Sequence, residues 1–222
     1  MRTLVSALAL LSLVVMSAAA DDPPAKKEDS SGKKADASLK VGNNLPGTFY
    51  PYNVTGQYKQ HYHCPVTDHS LEPMVLIFYK NVDFSDPLPK LLQQLDTAIE
   101  KNPDKRLGAF VTFLPDDLPD VAGSKENKDQ DINSKNDDAR LAIEKKIEQG
   151  AVDMKLRHVV LGLDHKSDVS KYGLSDENLI TVVLYTRLKI VAVYALSKDD
   201  FTEAKVGKIM ADVANKLGGK RK

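Results

Sequence analysis

The chain has 222 residues, with 31 basic and 31 acidic side chains, a formal net charge of +0 at pH 7 and a single cysteine. This charge balance gives no electrostatic reason to expect nucleic acid or an anionic membrane as a partner. One cysteine also excludes an intramolecular disulfide. Any chemistry of the protein must therefore come from a small set of other side chains or from a lone thiol.

The first 20 residues are typical of a secretory signal peptide. Arg2 precedes an apolar run from Leu4 to Met16, and small residues follow as far as Ala20. The run is too short for a lasting transmembrane anchor. We therefore expect an exported protein, periplasmic or extracellular, with no membrane anchor after cleavage. Residues 21–38 lack large apolar side chains and predict a disordered linker, whereas 39–219 are long enough for one folded domain.

Short runs of β-branched and aromatic residues alternate with helical patterns in this domain. The predicted strands are Met74–Tyr79, 107–114, Val159–Leu163, 180–185 and Lys189–Leu196. The first predicted helix has Asp86 as its cap and Pro87 in its first turn. A second runs from Ala139 to near Gly150, and a short third runs from Ser167 to Gly173. The last runs from Asp199 to Leu217, with Ser197 as its cap. Residues 115–138 are acidic and of low complexity, and they predict a charged surface insertion.

The connections between these elements predict a mixed sheet. Strands joined by helices are expected to be parallel, because a helical crossover returns the chain to the same end of the sheet. Only Thr186-Arg187-Leu188 separates the last two strands, which forces a hairpin. The expected fold class is α/β, with helices on both faces of the sheet.

Residues 41–49, VGNNLPGTF, open the folded domain, and its second half contains Val159, Leu161 and Asp164, followed by Tyr172-Gly173-Leu174. These two motifs and the order of elements resemble the thioredoxin-like fold, and more narrowly its redoxin or peroxiredoxin-like branch. Residues 41–49 are similar to the Val-Gly-x-x-Ala-Pro-x-Phe opening of that branch, with one extra residue before the aromatic. The resemblance implies a thioredoxin-like domain.

The sequence departs from this family at its usual active site. In redoxins, the reactive cysteine follows the first core strand at the start of the next helix, where backbone N–H groups favour the thiolate. Here residues 80–86, KNVDFSD, contain no cysteine. Leu179-Ile180-Thr181 replace the usual cis-proline, and Tyr58 stands where a peroxidase motif starting at Pro51 would place its thiol. Ordinary dithiol or peroxidase catalysis is therefore not expected there.

Cys64 is the candidate catalytic residue for a different thiol chemistry. Cys64-Pro65-Val66-Thr67 resembles a Cys-x-x-Cys motif whose second cysteine has become threonine. A lone thiol forms mixed disulfides but cannot resolve them internally, so turnover needs an external thiol or a protein disulfide partner. The first functional hypothesis is an exported thioredoxin-like protein with monothiol redox activity.

A metal site is the alternative hypothesis for the same stretch. If residues 58–63 are extended, His61 and His63 share one strand face, and Cys64 and His69 follow within a turn. Imidazole and thiolate suit zinc or copper, with Asp68 orienting a ligand histidine. In a third interpretation, His61 and His63 lie on the solvent-exposed edge of the sheet, and Cys64 is a small, buried, unreactive residue. The protein would then be a non-catalytic binding module.

Overall fold

A computed structural model describes residues 39–119 and 130–217 of the protein. The predicted signal peptide (1–20) and linker (21–38) lie outside this range, as do residues 120–129 of the predicted insertion. The strands are β1 (Tyr52–Asn53), β2 (Met74–Tyr79), β3 (Gly108–Phe113), β4 (Val159–Leu163), β5 (Ile180–Thr186) and β6 (Lys189–Leu196). The helices are α1 (Pro65–His69), α2 (Leu88–Glu100), α3 (Gln130–Asp153) and α4 (Glu203–Asp212). None of these helices is long and apolar enough to cross a membrane.

The six strands form one mixed sheet in the order β1-β4-β3-β2-β5-β6. The pairs β2/β3 and β3/β4 are parallel, and β2/β5 and β5/β6 are antiparallel. This confirms the parallel pairing predicted for helix-linked strands and the predicted final hairpin. Arg187 and Leu188 both have positive φ, 51° and 59°, which is the backbone that a two-residue hairpin turn requires.

Alternation along the strands gives the sheet two apolar faces. In β2, Val75, Ile77 and Tyr79 belong to one buried cluster, while Met74, Leu76 and Phe78 belong to the other. The first face packs against α2, α3 and α4. The second is covered by the N-terminal segment, by α1 and by the 3₁₀ turn Ser170–Tyr172. Helical structure lies on both faces, as predicted, but the long helices share one of them.

A buried carboxylate joins α2 to the start of β4. Asp96 Oδ1 accepts hydrogen bonds from the backbone N–H groups of Arg157, His158 and Val159, at 3.0, 2.7 and 2.9 Å. These three charge-assisted hydrogen bonds fix where β4 begins, because each backbone N–H group would otherwise need an acceptor on a neighbouring strand. The position of β4 in turn fixes the residues that follow its carboxyl end.

Two of the predicted helix starts were wrong. Asp86 does not cap α2, because Pro87 occupies the cap position without a side-chain hydrogen bond, and the Asp86–Pro87 peptide is cis. Ser197 does not cap α4. Its hydroxyl accepts from Asp200 N in the preceding turn, whereas Thr202 Oγ1 accepts from Lys205 N and begins the helix.

Helix α3 is longer at both ends than the sequence pattern predicted. It begins at Gln130, well before Ala139, and continues through Gly150 to Asp153. Residues 135–139 are exposed or partly exposed, so no apolar stripe marks this part of the helix. Gly150 does not end the helix. A Cβ at this position would lie 2.5 Å from the ring of Phe84, and the glycine therefore permits close packing of α3 on residues that follow β2.

Glycine-to-alanine substitutions in two helices test this packing. Gly150→Ala should destabilise the protein by about 1–3 kcal/mol, because the added methyl overpacks against Phe84. Gly207→Ala is the matched control in α4, where a Cβ meets nothing within 4 Å, and it should stabilise by roughly 0.5–1 kcal/mol. Urea unfolding measures both. Equal stabilisation by the two substitutions would contradict the close contact at Gly150.

Candidate functional site

The segment that follows β2 occupies the position of the redoxin active site. It is organised by Asp83, which accepts hydrogen bonds from the backbone N–H and the hydroxyl of Ser85, both at 3.0 Å. Lys80 N donates to Leu179 O at 3.1 Å, so the segment is tied to the residue before β5. The turn therefore keeps its place in the fold but presents a carboxylate and a hydroxyl instead of a thiol.

A polar cleft of about 560 Å³ lies beside this segment. It is lined by Asn81, Val82, Asp83, Pro115, Asp116, Asp117, Ile143 and Lys146. These residues follow the carboxyl ends of β2 and β3 or come from α3. Open α/β sheets bind ligands in such crevices at the carboxyl ends of their strands. Three aspartates and one lysine give the lining a net negative formal charge.

Two lysines flank one exposed carboxylate near the same edge of the sheet. Lys80 Nζ donates to the backbone carbonyl of Asp176 and lies 3.7 Å from its Oδ1. Lys166 Nζ also pairs with Asp176 Oδ1. Burial lowers the pKa of Lys80, and the neighbouring Lys166 charge acts in the same direction. The two ammonium groups are thus held by a partner and do not line the cleft.

Cys64 lies in the buried layer on the opposite face of the sheet from α2–α4. Its side chain is 2 % exposed and packs in the apolar cluster that contains Phe49, Phe78 and Tyr172. Cys64 is the residue before α1, and its Sγ accepts a hydrogen bond from Thr67 N at 3.4 Å. The folded structure therefore uses this thiol as a helix cap and a core residue.

Two tyrosines, as well as apolar side chains, surround Cys64. The Tyr172 hydroxyl donates to Gly47 O at 2.6 Å, and the Tyr185 hydroxyl donates to Met74 Sδ at 3.1 Å. Burial raises the pKa of both tyrosines, and the neighbouring Cys64 adds to the rise. No ionisable base is provided by these contacts. Tyr185 pairs with Met74 at the amino end of β2, far along that strand from residues 80–86.

Residues 58–63 are not extended, so the condition on which a shared strand face for His61 and His63 depended is not met. The chain turns there, since His61 N bonds to Tyr58 O and Gln60 adopts a positive φ of 66°. His61 is exposed, and its Nδ1 lies 2.9 Å from Lys59 O. His63 instead stacks on the Tyr58 ring, with centroids 3.5 Å apart. The two imidazoles therefore do not share a strand face.

His63 and His69 also point to different surroundings. His63 Nε2 lies 3.6 Å from Asp68 Oδ1, which is an ion-pair distance but too long for a hydrogen bond. His69 ends α1 and packs its ring against the backbone of Gly108 in β3, and burial lowers its pKa. Within residues 39–119 and 130–217, no group of three or more His, Cys, Asp or Glu side chains is placed to hold a metal ion.

Asp164, at the carboxyl end of β4, is a buried ionisable residue to which the sequence assigned no role. Its Oδ1 accepts from His165 N at 3.0 Å, and its Oδ2 accepts from no donor in the described chain. Burial, followed by the carboxyl of Asp168, raises the pKa of Asp164 from 3.8 to about 8. In the sequence, Asp164 stands directly after a predicted strand and belongs to the redoxin-like motif with Val159 and Leu161, but neither feature indicates its burial.

Comparisons with known proteins support the fold. No protein-family model and no curated protein sequence matches the chain. Among solved structures, a candidate thiol:disulfide interchange protein DsbE from Chlorobium tepidum superposes with a TM-score of 0.53 at 14 % identity, covering 82 % of this chain and 100 % of that one. Peroxidoxin BcpB from Mycobacterium tuberculosis gives a TM-score of 0.53 at 14 % identity, with 82 % and 99 % covered. This protein therefore has a thioredoxin-like fold, and its single cysteine lies away from the usual active-site position.

The burial of Cys64 predicts a slow thiol. Alkylation of the native protein at neutral pH should be at least roughly 100-fold slower than alkylation of a short cysteine peptide, because the reagent must wait for local opening. The matched control is a Cys64→Ala/Ser85→Cys double variant, since Ser85 is exposed in the turn after β2. Its thiol should react rapidly. Equal rates for the parent and the double variant would show that Cys64 is accessible.

Proposed function

We propose that this protein is an exported thioredoxin-like binding protein that holds a ligand in the cleft at the carboxyl ends of β2 and β3. One observation carries this proposal: residues 80–86 keep the place of the redoxin active site without a nucleophilic sulfur, while a cleft of about 560 Å³ lies directly beside them. Such a site can bind but has no thiol to exchange. The non-catalytic alternative of the sequence analysis is therefore the one the geometry supports best.

The charge of the cleft indicates the chemistry of its ligand. Asp83, Asp116 and Asp117 line it against Lys146, so electrostatic complementarity favours a positively charged partner. A basic peptide segment fits an open cleft of this kind better than a small apolar ligand, because the lining offers carboxylates and only a few apolar side chains. Export would place such binding in the periplasm or outside the cell, as the predicted signal peptide (1–20) and linker (21–38) imply.

Binding of a Lys-Gly-Lys-Gly peptide, with Glu-Gly-Glu-Gly as the charge-reversed comparison, tests the proposal by fluorescence anisotropy. Asp83→Asn/Asp116→Asn should weaken binding of the basic peptide by roughly tenfold and reduce its salt dependence. The exposed pair Asp104→Asn/Asp199→Asn is the matched control and should change little. Cys64→Ala should also leave binding intact. Equal binding of the two peptides, or no effect of the cleft substitutions, would refute the proposal.

Monothiol exchange at Cys64 is the second candidate function. The Thr67 N–H that reaches Sγ is the kind of donor that stabilises a thiolate at a helix start. The reaction would require α1 to open, after which an external thiol or a protein disulfide partner could reach the sulfur. Fast alkylation of the native protein would favour this candidate over binding alone.

Metal binding by His61, His63, Cys64 and His69 stays a prediction, and it would require these side chains to rearrange. Elemental analysis of untagged protein purified with zinc or copper, beside a His61→Ala/His63→Ala variant, provides the measurement. A true site would give stoichiometric metal in the parent alone, lost as the pH falls below about 6 because the imidazoles become protonated. Equal metal content in the two proteins would remove copper and zinc from consideration.

A further inference from the structure

A second cavity, of about 400 Å³, lies beyond the carboxyl end of β4. Its walls come from the N-terminal segment, from the chain that follows β4 and from the 3₁₀ turn Ser170–Tyr172. Aromatic and charged side chains dominate its lining: Tyr50, Tyr62, Asp164, Asp168 and Lys171. None of these residues lines the cleft beside Asp83, so the two sites can be tested separately.

Hydrogen bonds hold Asp164 in the wall of this cavity. Its backbone N–H donates to Phe113 O at 3.1 Å, which anchors it to β3, and its Oδ1 accepts from His165 N. The residue is only 4 % exposed, yet its buried Oδ2 accepts no hydrogen bond from the described residues. A buried carboxylate oxygen without a donor is costly. This cost applies to the ionised carboxyl, so a ligand that supplied a charged donor would favour the ionised form of Asp164.

The nearest buried cation is already engaged elsewhere. Arg140, in α3, is 6 % exposed and pairs through Nε with Glu144 Oε1 at 3.2 Å. Its other nitrogens donate to Pro119 O at 3.3 Å and to the Tyr62 hydroxyl at 3.4 Å, and its guanidinium lies 5.5 Å from the centre of the Tyr52 ring. Because Glu144 offsets its charge, Arg140 only partly compensates an ionised Asp164.

The rings at the mouth of the cavity are open to a ligand. Tyr50 and Tyr62 are 59 % and 53 % exposed, although both line the cavity. Aromatic faces attract cations, and this attraction grows as the cation is desolvated. The cavity thus combines a buried acceptor that lacks a donor with exposed aromatic surface, which is the pattern of a site for an organic cation.

We propose that this cavity binds a small molecule through a protonated primary amine, whose N–H groups donate to Asp164 Oδ2 and to Asp168 while its carbon atoms contact Tyr50 and Tyr62. An ammonium group fits better than a hydroxyl, because only a charged donor offsets the cost of holding Asp164 ionised. A volume of about 400 Å³ admits a small amine rather than a folded partner. This site is independent of the proposed peptide cleft.

Release of a proton from Asp164 on amine binding is a measurable consequence of the proposal. Because the pKa of Asp164 is raised to about 8, the free protein holds a proton there at neutral pH, where the protonated oxygen can donate to Asp168. An ammonium group favours the carboxylate and should displace that proton. The ionisable groups around Asp164 are Asp168, His165 and Lys171 from the chain after β4, Arg140 and Glu144 from α3, and Tyr50 and Tyr62 from the N-terminal part of the chain.

Titration calorimetry with benzylamine tests the site, with benzyl alcohol as the neutral probe of similar shape. Affinity for benzylamine should rise by roughly tenfold or more between pH 6 and pH 8.5, as Asp164 ionises. At pH 7, buffers of different ionisation enthalpy should reveal about one proton released for each amine bound. Asp164→Asn should abolish both the binding and the proton release, and Asp168→Asn should weaken binding.

Asp199→Asn, at an exposed position outside the cavity, is the matched control and should bind benzylamine as the parent does. Asp164→Asn should stay folded, since it removes an ionisable group from a buried place, and circular dichroism will confirm this. The proposal fails if benzyl alcohol binds as tightly as benzylamine, if folded Asp164→Asn retains binding, or if the parent binds no benzylamine at pH 8.5. None of these results bears on the peptide cleft.

Discussion

Burial of β2 on both faces is the constraint around which the structure is arranged. All six of its side chains are buried, so each face of the sheet needs a cover of its own. Helices α2, α3 and α4 cover one face, and each of them contributes buried apolar side chains to that layer. Among residues 39–119 and 130–217, no long helix packs on the other face, which is covered by the N-terminal segment and α1. Because these segments form the cover, Cys64 and Val66 are buried in the core, although they lie between exposed or partly exposed histidines.

The same arrangement separates the thiol from the edge where thioredoxin-like folds place their chemistry. Cys64 lies in the second buried layer near Tyr185, which pairs with the amino end of β2. The polar cleft follows the carboxyl ends of β2 and β3. A sulfur that caps a helix and fills a core position contributes to stability, whereas the aspartates of the cleft present negative charge and hydrogen-bond acceptors to solvent. The cleft, and the ligand binding proposed for it, therefore do not depend on the thiol.

Two buried aspartates show how differently a carboxylate can be held. Asp96 Oδ1 accepts three backbone N–H groups and joins α2 to β4. Asp164, at the other end of the same strand, has one such donor and faces a second carboxyl. A carboxylate with several donors behaves as a structural tie, because its charge is compensated in the folded state. Burial raises the pKa of a carboxyl that has few donors, as it does for Asp164, because the charged form is disfavoured.

The sequence by itself determined the order and boundaries of most strands, because alternation of side chains is a local property that each strand carries within its own residues. It also determined that the redoxin position lacks a cysteine. Only the tertiary structure decided that residues 58–61 turn, that α3 passes through Gly150, and that Cys64 is enclosed by Tyr172 and Tyr185. These outcomes depend on contacts between residues far apart in the chain. The environment of Asp164 is of the same kind, since its burial and its missing donor arise from segments that meet only when the sheet has formed.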